Sequence, residues 1–167
     1  MRIRPESEAD RAAIRTVNEA AFDTSAEADL VDVLRAKSAQ LVSLVAEIDD
    51  TVVGHILFSR VSLTEQPHLR VMGLGPMAVA PDHRRQGVGS ALVREGLKRC
   101  RQLGCDAVFV IGHPKYYPRF GFVPAARYAM RSEYEVPEDV FMVAELAVGA
   151  LRGATGLVRY DEAFASV

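Results

Sequence analysis

The chain has 167 residues, of which 49% are hydrophobic and 25% charged, and its formal net charge is −2. These values are those of a soluble globular domain of ordinary composition, and the length favours one domain over residues 1–167. An acidic net charge without a run of lysine or arginine argues against a surface that binds nucleic acid.

The sequence also argues against a membrane or metal protein. Its longest apolar stretches are far shorter than the roughly 20 residues that span a bilayer, and the first residues lack the apolar region of a secretory signal. The two cysteines, Cys100 and Cys105, match neither a CxxC motif nor a metal-ligand spacing. We therefore expect a cytoplasmic protein with no metal and no membrane partner.

The first half of the chain predicts a strand, two helices and a hairpin. The strand covers Arg2 to Arg4, and a helix follows Ser7, which stands at the N-cap position. A second helix begins after Ser25, with a buried stripe of Leu30, Val33 and Leu34. The segments LVSLVAEIDD and TVVGHILFSRVSL then read as two strands joined at the Asp-Asp pair.

The second half predicts a strand, a helix and a second strand in parallel crossover. The strand over residues 70–80 contains Pro76 between glycines, so its pairing should become irregular at the middle. The helix runs from Gly87 to about Leu103, and Gly96 suggests close packing on a sheet there. Residues 106–112 are almost continuously apolar, as in a strand buried in a parallel pair. FMVAEL and GATGLVRY read as closing strands.

These elements predict an α/β (α+β) fold. Antiparallel strands precede a strand–helix–strand unit, which gives a mixed sheet with flanking helices.

The segment RRQGVG lies between the proline-containing strand and the following helix. Backbone N–H groups at a helix N-terminus, freed from side chains by two glycines, favour binding of an anion. The segment is neither a P-loop, because no lysine follows Gly89, nor a dinucleotide fingerprint, because Leu92 replaces the third glycine. A tight turn without a ligand is the alternative.

The wider run LGPMAVAPDHRRQGVGSALVREGL, followed by YPRFGF at 117–122, resembles the acetyl-CoA-binding core of the GNAT superfamily of N-acetyltransferases. Residues 84–89 satisfy the [QR]xxGx[GA] pattern, and Tyr117 to Phe122 match the YxxxGF element. Other details resemble the small bacterial branch described as YhbS-type. The resemblance implies a mostly antiparallel, twisted sheet of six to seven strands with a splayed central parallel pair.

The resemblance also implies how acetyl-CoA is held. The backbone N–H groups of Arg85 to Ser90 would bind the pyrophosphate, and the pantetheine would lie along one strand. An N–H group of that strand would polarise the thioester carbonyl. The implied donor-binding residues are Met77, Ala78, Val79, Arg84, Arg85, Gln86, Gly87, Val88, Gly89 and Ser90.

The resemblance assigns the general acid to Tyr117, which would protonate the departing thiolate, while the adjacent Tyr116 would serve packing. The base that takes the proton of the amine is open. Glu145, within an apolar run, Glu27 in the first helical pair, and His113 after the second parallel strand are candidates. His55, inside a strand, is better explained as a hydrogen-bonded interior residue.

The resulting hypothesis is an N-acetyltransferase that passes the acetyl group directly from acetyl-CoA to an amine of unidentified class, with a homodimer as one possible assembly. The alternative is a non-catalytic module on the same fold that binds acyl-CoA or serves regulation. A protein that binds nucleic acid through Arg84 and Arg85 is a third reading, which the acidic net charge disfavours.

Overall fold

The computed structural model describes residues 1–37 and 40–167. These residues form three α-helices, nine strands and several short 3-10 helices. The helices are α1 (Arg11–Phe22), α2 (Ala26–Lys37) and α3 (Val88–Gln102). The strands are β1 (Arg2–Pro5), β2 (Leu41–Ile48), β3 (Thr51–Leu63), β4 (Val71–Val79), β5 (Ala107–Ile111), β6 (Val123–Pro124), β7 (Met130–Ser132), β8 (Phe141–Glu145) and β9 (Gly156–Arg159).

The predicted mixed, mostly antiparallel α/β architecture is confirmed. Within the described residues the sheet has nine strands, more than the six to seven expected: seven follow one another as neighbours, and the short strands β7 and β9 add a side branch. The chain divides into two compact units, Met1–Ser59 with Gly75–Gly96 and Glu162–Val167, and Arg60–Leu74 with Leu97–Asp161.

The first unit is built on a hairpin. Strand β2 pairs antiparallel with β1 on one side and with β3 on the other. Asp49 and Asp50 have φ values of 49° and 60° and form the two-residue turn between β2 and β3. Aspartate tolerates this left-handed conformation, and such turns match the twist of hairpin strands. The predicted Asp-Asp turn is confirmed.

Helices α1 and α2 pack against strands β2 and β3 to form the apolar core of the first unit. The buried cluster consists of Ile14, Leu30, Val31, Leu34, Val45 and Leu57. The predicted stripe of α2 was wrong at one position, because Val33 is 39% exposed whereas Val31 is 2% exposed. Successive helical residues differ by about 100° around the axis, so Val33 points away from the face that carries Leu30, Val31 and Leu34.

The second unit contains the parallel pair. Strand β5 pairs parallel with β4, from Val71 opposite Ala107 to Leu74 opposite Val110. On its other side β5 pairs antiparallel with β8, which also pairs with β6. The short strand β9 pairs with the end of β3 and lies parallel to β7. Their apolar faces enclose a second core of Val61, Leu63, Val71, Ala107, Phe109, Ala125, Met130, Phe141, Val143, Leu151, Ala154 and Val158.

Strand β4 changes its pairing at the predicted place. Its register with β5 ends at Leu74, although the strand itself continues to Val79. Gly75 follows with a φ of 147°, and Pro76 has no N–H group to donate to a neighbouring strand. The expected irregularity at the middle of this strand is therefore confirmed.

Helix α3 begins and ends close to its predicted bounds. A Cβ atom added at Gly96 would overlap the ring of Phe58, which is fully buried. The predicted close packing at Gly96 is confirmed, because only glycine lets the helix approach β3 this closely. Gly104, with a φ of 80°, follows the last turn, as is typical of a helix C-terminus.

His55 lies in β3 and is fully buried in the first unit. The Asn18 side-chain amide lies 3.3 Å from His55 Nδ1, and Ser43 Oγ lies 2.9 Å from Nε2. Since an amide nitrogen can only donate, Nδ1 accepts, and the neutral ring donates from Nε2 to Ser43. Burial, and then the positive charge of Arg35, lower the pKa of His55 to about 3. His55 is therefore an interior residue, as expected from its strand position.

This burial predicts a pH dependence of stability. The unfolded state binds a proton at His55 below a pKa of about 6.5, whereas the folded state does so only near 3. His55 therefore contributes stability above the unfolded pKa that is lost as the pH falls. We expect urea titrations to show a loss of about 2 kcal/mol from this residue between about pH 7 and about pH 5. The variant His55→Gln should lose this component, whereas His68→Gln, at an exposed position, should keep it. Equal pH slopes for wild type and His55→Gln would contradict the prediction.

Candidate active site

The segment between β4 and α3 has the backbone shape of an anion-binding loop. A 3-10 turn over Pro81–His83 follows β4. Arg85 and Gly87 then adopt left-handed conformations, with φ values of 62° and 81°. A left-handed residue next to a right-handed one turns successive N–H groups into one concavity, which binds anions. Gly87, directly before the right-handed Val88 of α3, provides such a pair of residues.

Helix α3 presents its N-terminus at the end of this loop. The first hydrogen bond of the helix runs from Ala91 N–H to the Gly87 carbonyl, at 3.0 Å. The first N–H groups of a helix in general lack a carbonyl within the helix, and the helix dipole adds positive potential at this end. Val88 is buried and packs closely on Gly54 of β3. A Cβ added at Gly54 would lie only 2.9 Å from Val88 Cγ1, so this contact holds the first turn of α3 against the strand.

Side chains of the loop support its shape from outside. Arg84 Nη2 donates to the Ala21 carbonyl at 3.2 Å, at the C-terminal end of α1. Gln86 Nε2 donates to the Asp82 carbonyl at 3.3 Å. The guanidinium of Arg84 thereby satisfies one of the carbonyls that a helix end leaves without a partner. These contacts suit a loop whose backbone, rather than whose side chains, faces an anion.

The three strand residues predicted to line the pantetheine lie in the last part of β4. Ala78 is buried, whereas Met77 and Val79 are half-buried. Successive side chains of a strand point to opposite faces, so these three residues differ in their surroundings. They follow the point at which the register with β5 ends.

Tyr117 lies in the second unit, in a 3-10 turn over Tyr117–Phe120, and is 8% exposed. Its ring is surrounded by aromatic edges. The ring centroids of Tyr116 and Phe122 lie 5.1 Å and 5.5 Å away, and that of Phe120 lies 6.4 Å away. Burial, and then the neighbouring Tyr116, raise the pKa of Tyr117 to about 12. Its hydroxyl therefore remains protonated at neutral pH.

Gly112 completes the enclosure of this ring, and the sequence analysis missed it. A Cβ atom added at Gly112 would overlap Cε2 of Tyr117 and lie 3.0 Å from Cδ2 and 3.3 Å from Cζ. The only signal in the sequence was a glycine at the end of an apolar strand, five positions before the tyrosine. Such a glycine is equally consistent with a simple strand end.

His113 stands next to Gly112 and is exposed. Its backbone carbonyl accepts hydrogen bonds from the N–H groups of Tyr116 and Tyr117, at 3.1 Å and 3.4 Å. The second unit thus brings His113 and Tyr117 together in one turn.

Glu145 lies away from this turn. The register of β8 places it opposite Ala107 at the start of β5, whereas Gly112 and Tyr117 follow the end of β5. Four residues of strand separate the two ends by about 13 Å. Both carboxylate oxygens of Glu145 accept backbone hydrogen bonds at 3.0 Å, from Gly149 and Leu151. A structural role in the following turn therefore accounts for the presence of a glutamate in this apolar run.

Glu27 lies in the first turn of α2, in the first unit, and is half-buried. The Thr24 hydroxyl donates to its carboxylate at 3.2 Å. A carboxylate in this position also interacts favourably with the helix N-terminus. The contact explains Glu27 as part of a helix cap, and the carboxylate keeps acceptor capacity for a further proton or amine.

Within residues 1–37 and 40–167, no three His, Cys, Asp or Glu side chains are grouped closely enough to hold a metal ion. None of the helices in the same residues is long and apolar enough to cross a membrane.

Comparison with known families agrees with the geometry of the loop and the tyrosine turn. The family model "Acetyltransferase (GNAT) family" matches residues 10–122. The chain therefore belongs to the GNAT family of acetyltransferases. This match includes β4, the loop of residues 84–90, α3 and the Tyr117 turn, so the resemblance inferred from RRQGVG and YPRFGF is confirmed.

Relatives within the GNAT family match over nearly the whole chain. The N-acetyltransferase YhbS of Escherichia coli (strain K12), itself described as uncharacterized, is 39% identical over 165 residues, which are 98% of each chain. A crystal structure of E. coli YhbS in complex with CoA superposes with a TM-score of 0.93 at 38% identity, covering 98% of this chain and 91% of that one. A GNAT family acetyltransferase from Brucella melitensis in complex with acetyl-CoA gives 0.81 at 36% identity, with 98% and 97% covered.

The position of Glu145 leads to a prediction that separates a structural role from a catalytic one. Glu145→Gln replaces one carboxylate oxygen by an amide that cannot accept a backbone hydrogen bond. We expect a loss of about 1–3 kcal/mol in the free energy of unfolding, with the rate of acetyl transfer per folded molecule unchanged. The control is Glu135→Gln, at an exposed position, which should change neither quantity. A hundredfold lower turnover of Glu145→Gln at unchanged stability would instead support the predicted base.

Proposed function

We propose that this chain is an acetyl-CoA-dependent N-acetyltransferase that transfers the acetyl group directly to an amine. The observation that carries the proposal is the loop of residues 84–90, whose left-handed Arg85 and Gly87 lead into the N-terminus of α3. This backbone suits a pyrophosphate, and two relatives with more than a third of their residues identical were crystallised with CoA or acetyl-CoA.

The donor would be held mainly by backbone groups. The N–H groups of Arg85–Ser90 would bind the pyrophosphate, and the strand residues Met77, Ala78 and Val79 would pair with the pantetheine amides as an added strand does. The end of the β4–β5 register at Leu74 supports this assignment, because it leaves the following part of β4 without a β5 partner.

The transfer forms one bond and breaks another. The amine nitrogen attacks the thioester carbonyl carbon, a strand N–H stabilises the negative charge on the oxygen, and the carbon–sulfur bond breaks. Tyr117 would donate its proton, or a strong hydrogen bond, to the departing sulfur. Its raised pKa supports this role in one respect, because the hydroxyl stays protonated over the whole neutral range.

The amine must lose a proton before or during the attack. Glu27 and His113 stay proposals for this base, with water as a possible relay. Glu145 is the weakest of the three candidates because both its oxygens accept backbone hydrogen bonds. A single domain over residues 1–167, a homodimer and a cytoplasmic location likewise stay predictions.

Thermal unfolding with acetyl-CoA tests donor binding without knowledge of the amine. At a hundredfold excess over its dissociation constant the ligand adds about 2.7 kcal/mol, which raises the Tm of a chain of this size by about 5–10 °C. The variant Gly87→Ala strains the left-handed backbone of the loop and should lose most of this ligand-induced shift. An absent shift at millimolar acetyl-CoA would overturn the proposal.

A matched control separates strain from binding. Gly153 has a φ of 74°, close to the 81° of Gly87, and an added Cβ meets no atom within 4 Å at either position. Gly153→Ala should therefore lower the free energy of unfolding by about 1–2 kcal/mol, as Gly87→Ala does. Both variants should accordingly show a lower Tm without ligand. Unlike Gly87→Ala, Gly153→Ala should keep the full shift with acetyl-CoA.

Tyr117→Phe tests the general acid. We expect kcat to fall by about 10²–10⁴ while the dissociation constant for acetyl-CoA stays within a factor of about two, since only the hydroxyl is removed. The amine is chosen from a panel of polyamines, amino acids, aminoglycosides and peptides with free N-termini, as the one that wild type acetylates fastest. Tyr116→Phe is the control at the adjacent ring. An unchanged kcat for Tyr117→Phe would remove the assignment.

A further inference from the structure

The ring of Tyr117 lies directly on the backbone at Gly112. An added Cβ at Gly112 would overlap the ring at Cε2 and stand 3.0 Å from Cδ2, closer than the roughly 3.5–4.0 Å of a comfortable carbon–carbon contact. Gly112 is not among the glycines with positive φ, so the backbone conformation does not demand glycine here. The close approach of the ring does.

Both partners of this contact also have other neighbours that hold them. The Gly112 N–H donates to the Val140 carbonyl at 2.9 Å, which ties this position to the residue before β8. The ring of Tyr117 makes T-shaped contacts with the rings of Tyr116 and Phe122, and Phe122 is itself fully buried. The ring therefore packs against the backbone of Gly112 and against the rings of Tyr116 and Phe122.

We propose that Gly112 is a positioning residue for acetyl transfer, because its missing side chain sets where the Tyr117 hydroxyl stands. This inference rests on the proposed role of Tyr117 as general acid. The physical reason is steric: a methyl group added at Gly112 must displace the Tyr117 ring by about 1 Å to restore a normal carbon–carbon contact. A displacement of this size at a reacting group can lower a rate about hundredfold.

The test uses the full chain with two reactions. One is acetylation of the fastest amine of the panel, and the other is the slow hydrolysis of acetyl-CoA, which releases the same thiolate and needs no amine. Gly112→Ala should lower kcat about 10–100-fold in both. The dissociation constant for acetyl-CoA, measured by its shift of Tm, should remain within a factor of about two.

A double-mutant cycle distinguishes positioning from general disturbance. If Gly112 acts through the Tyr117 hydroxyl, adding Gly112→Ala to Tyr117→Phe should lower kcat by no more than about twofold beyond Tyr117→Phe alone. Effects that multiply in the double variant would overturn the inference. Gly73→Ala is the matched control, because its Cβ would also meet a tyrosine ring, at 3.1 Å from Tyr160 Cε1. It should leave kcat per folded molecule unchanged.

A crystal structure of Gly112→Ala gives a readout that does not depend on turnover. It should show the Tyr117 ring displaced, with the Gly112–Val140 hydrogen bond retained. A ring in its original place above a shifted strand would overturn the inference. A wild-type protein that binds acetyl-CoA but shows no turnover would reject the proposed function, while the crystal structure would still decide whether Gly112 positions the ring.

Discussion

The pairing of β4 with β5 ends after four residue pairs, at Leu74 and Val110. Strand β4 nevertheless continues to Val79 and leads directly into the loop before α3. Buried or ligand-facing backbone groups must find partners, so a strand that loses its neighbour partway offers a row of groups to an extended ligand. Gly75 and Pro76, at this point, end the regular ladder. The proposed pantetheine and pyrophosphate contacts both depend on this change of pairing.

Three close approaches at glycine fix where the loop before α3, the helix itself and Tyr117 lie in their units. Gly54 admits Val88 of the first α3 turn, and Gly96 admits the ring of Phe58, so α3 and its loop lie tightly on β3. Gly112 does the same for Tyr117 in the second unit. Protein interiors are packed as densely as organic crystals, and a single methyl group at any of these positions has no space. The loop and the tyrosine can lie where they do because glycine has no side chain at these three positions.

The parts of the fold that depend on local chemistry were predictable. The Asp49–Asp50 turn, the interruption at Pro76 and the helix after RRQGVG each follow from the conformational preferences of a few adjacent residues. The short strands β6 and β7 were not predicted, because two or three residues carry no periodic pattern and pair only with strands distant in the chain. Val33 was placed on the wrong face because the rotation of α2 is set by what it packs against.

For the site, the sequence alone determined the loop of residues 84–90, the strand before it and the tyrosine turn after it, because each is a run of neighbouring residues with its own geometry. It also identified the family through these runs. Only the tertiary structure decided that Glu145 caps a turn at the far end of β5, that His55 is neutral within a buried network, and that Gly112 lies against the ring of Tyr117. Those roles arise from register and from distances between side chains and backbone, and neither quantity is expressed in the spacing of residues along the chain.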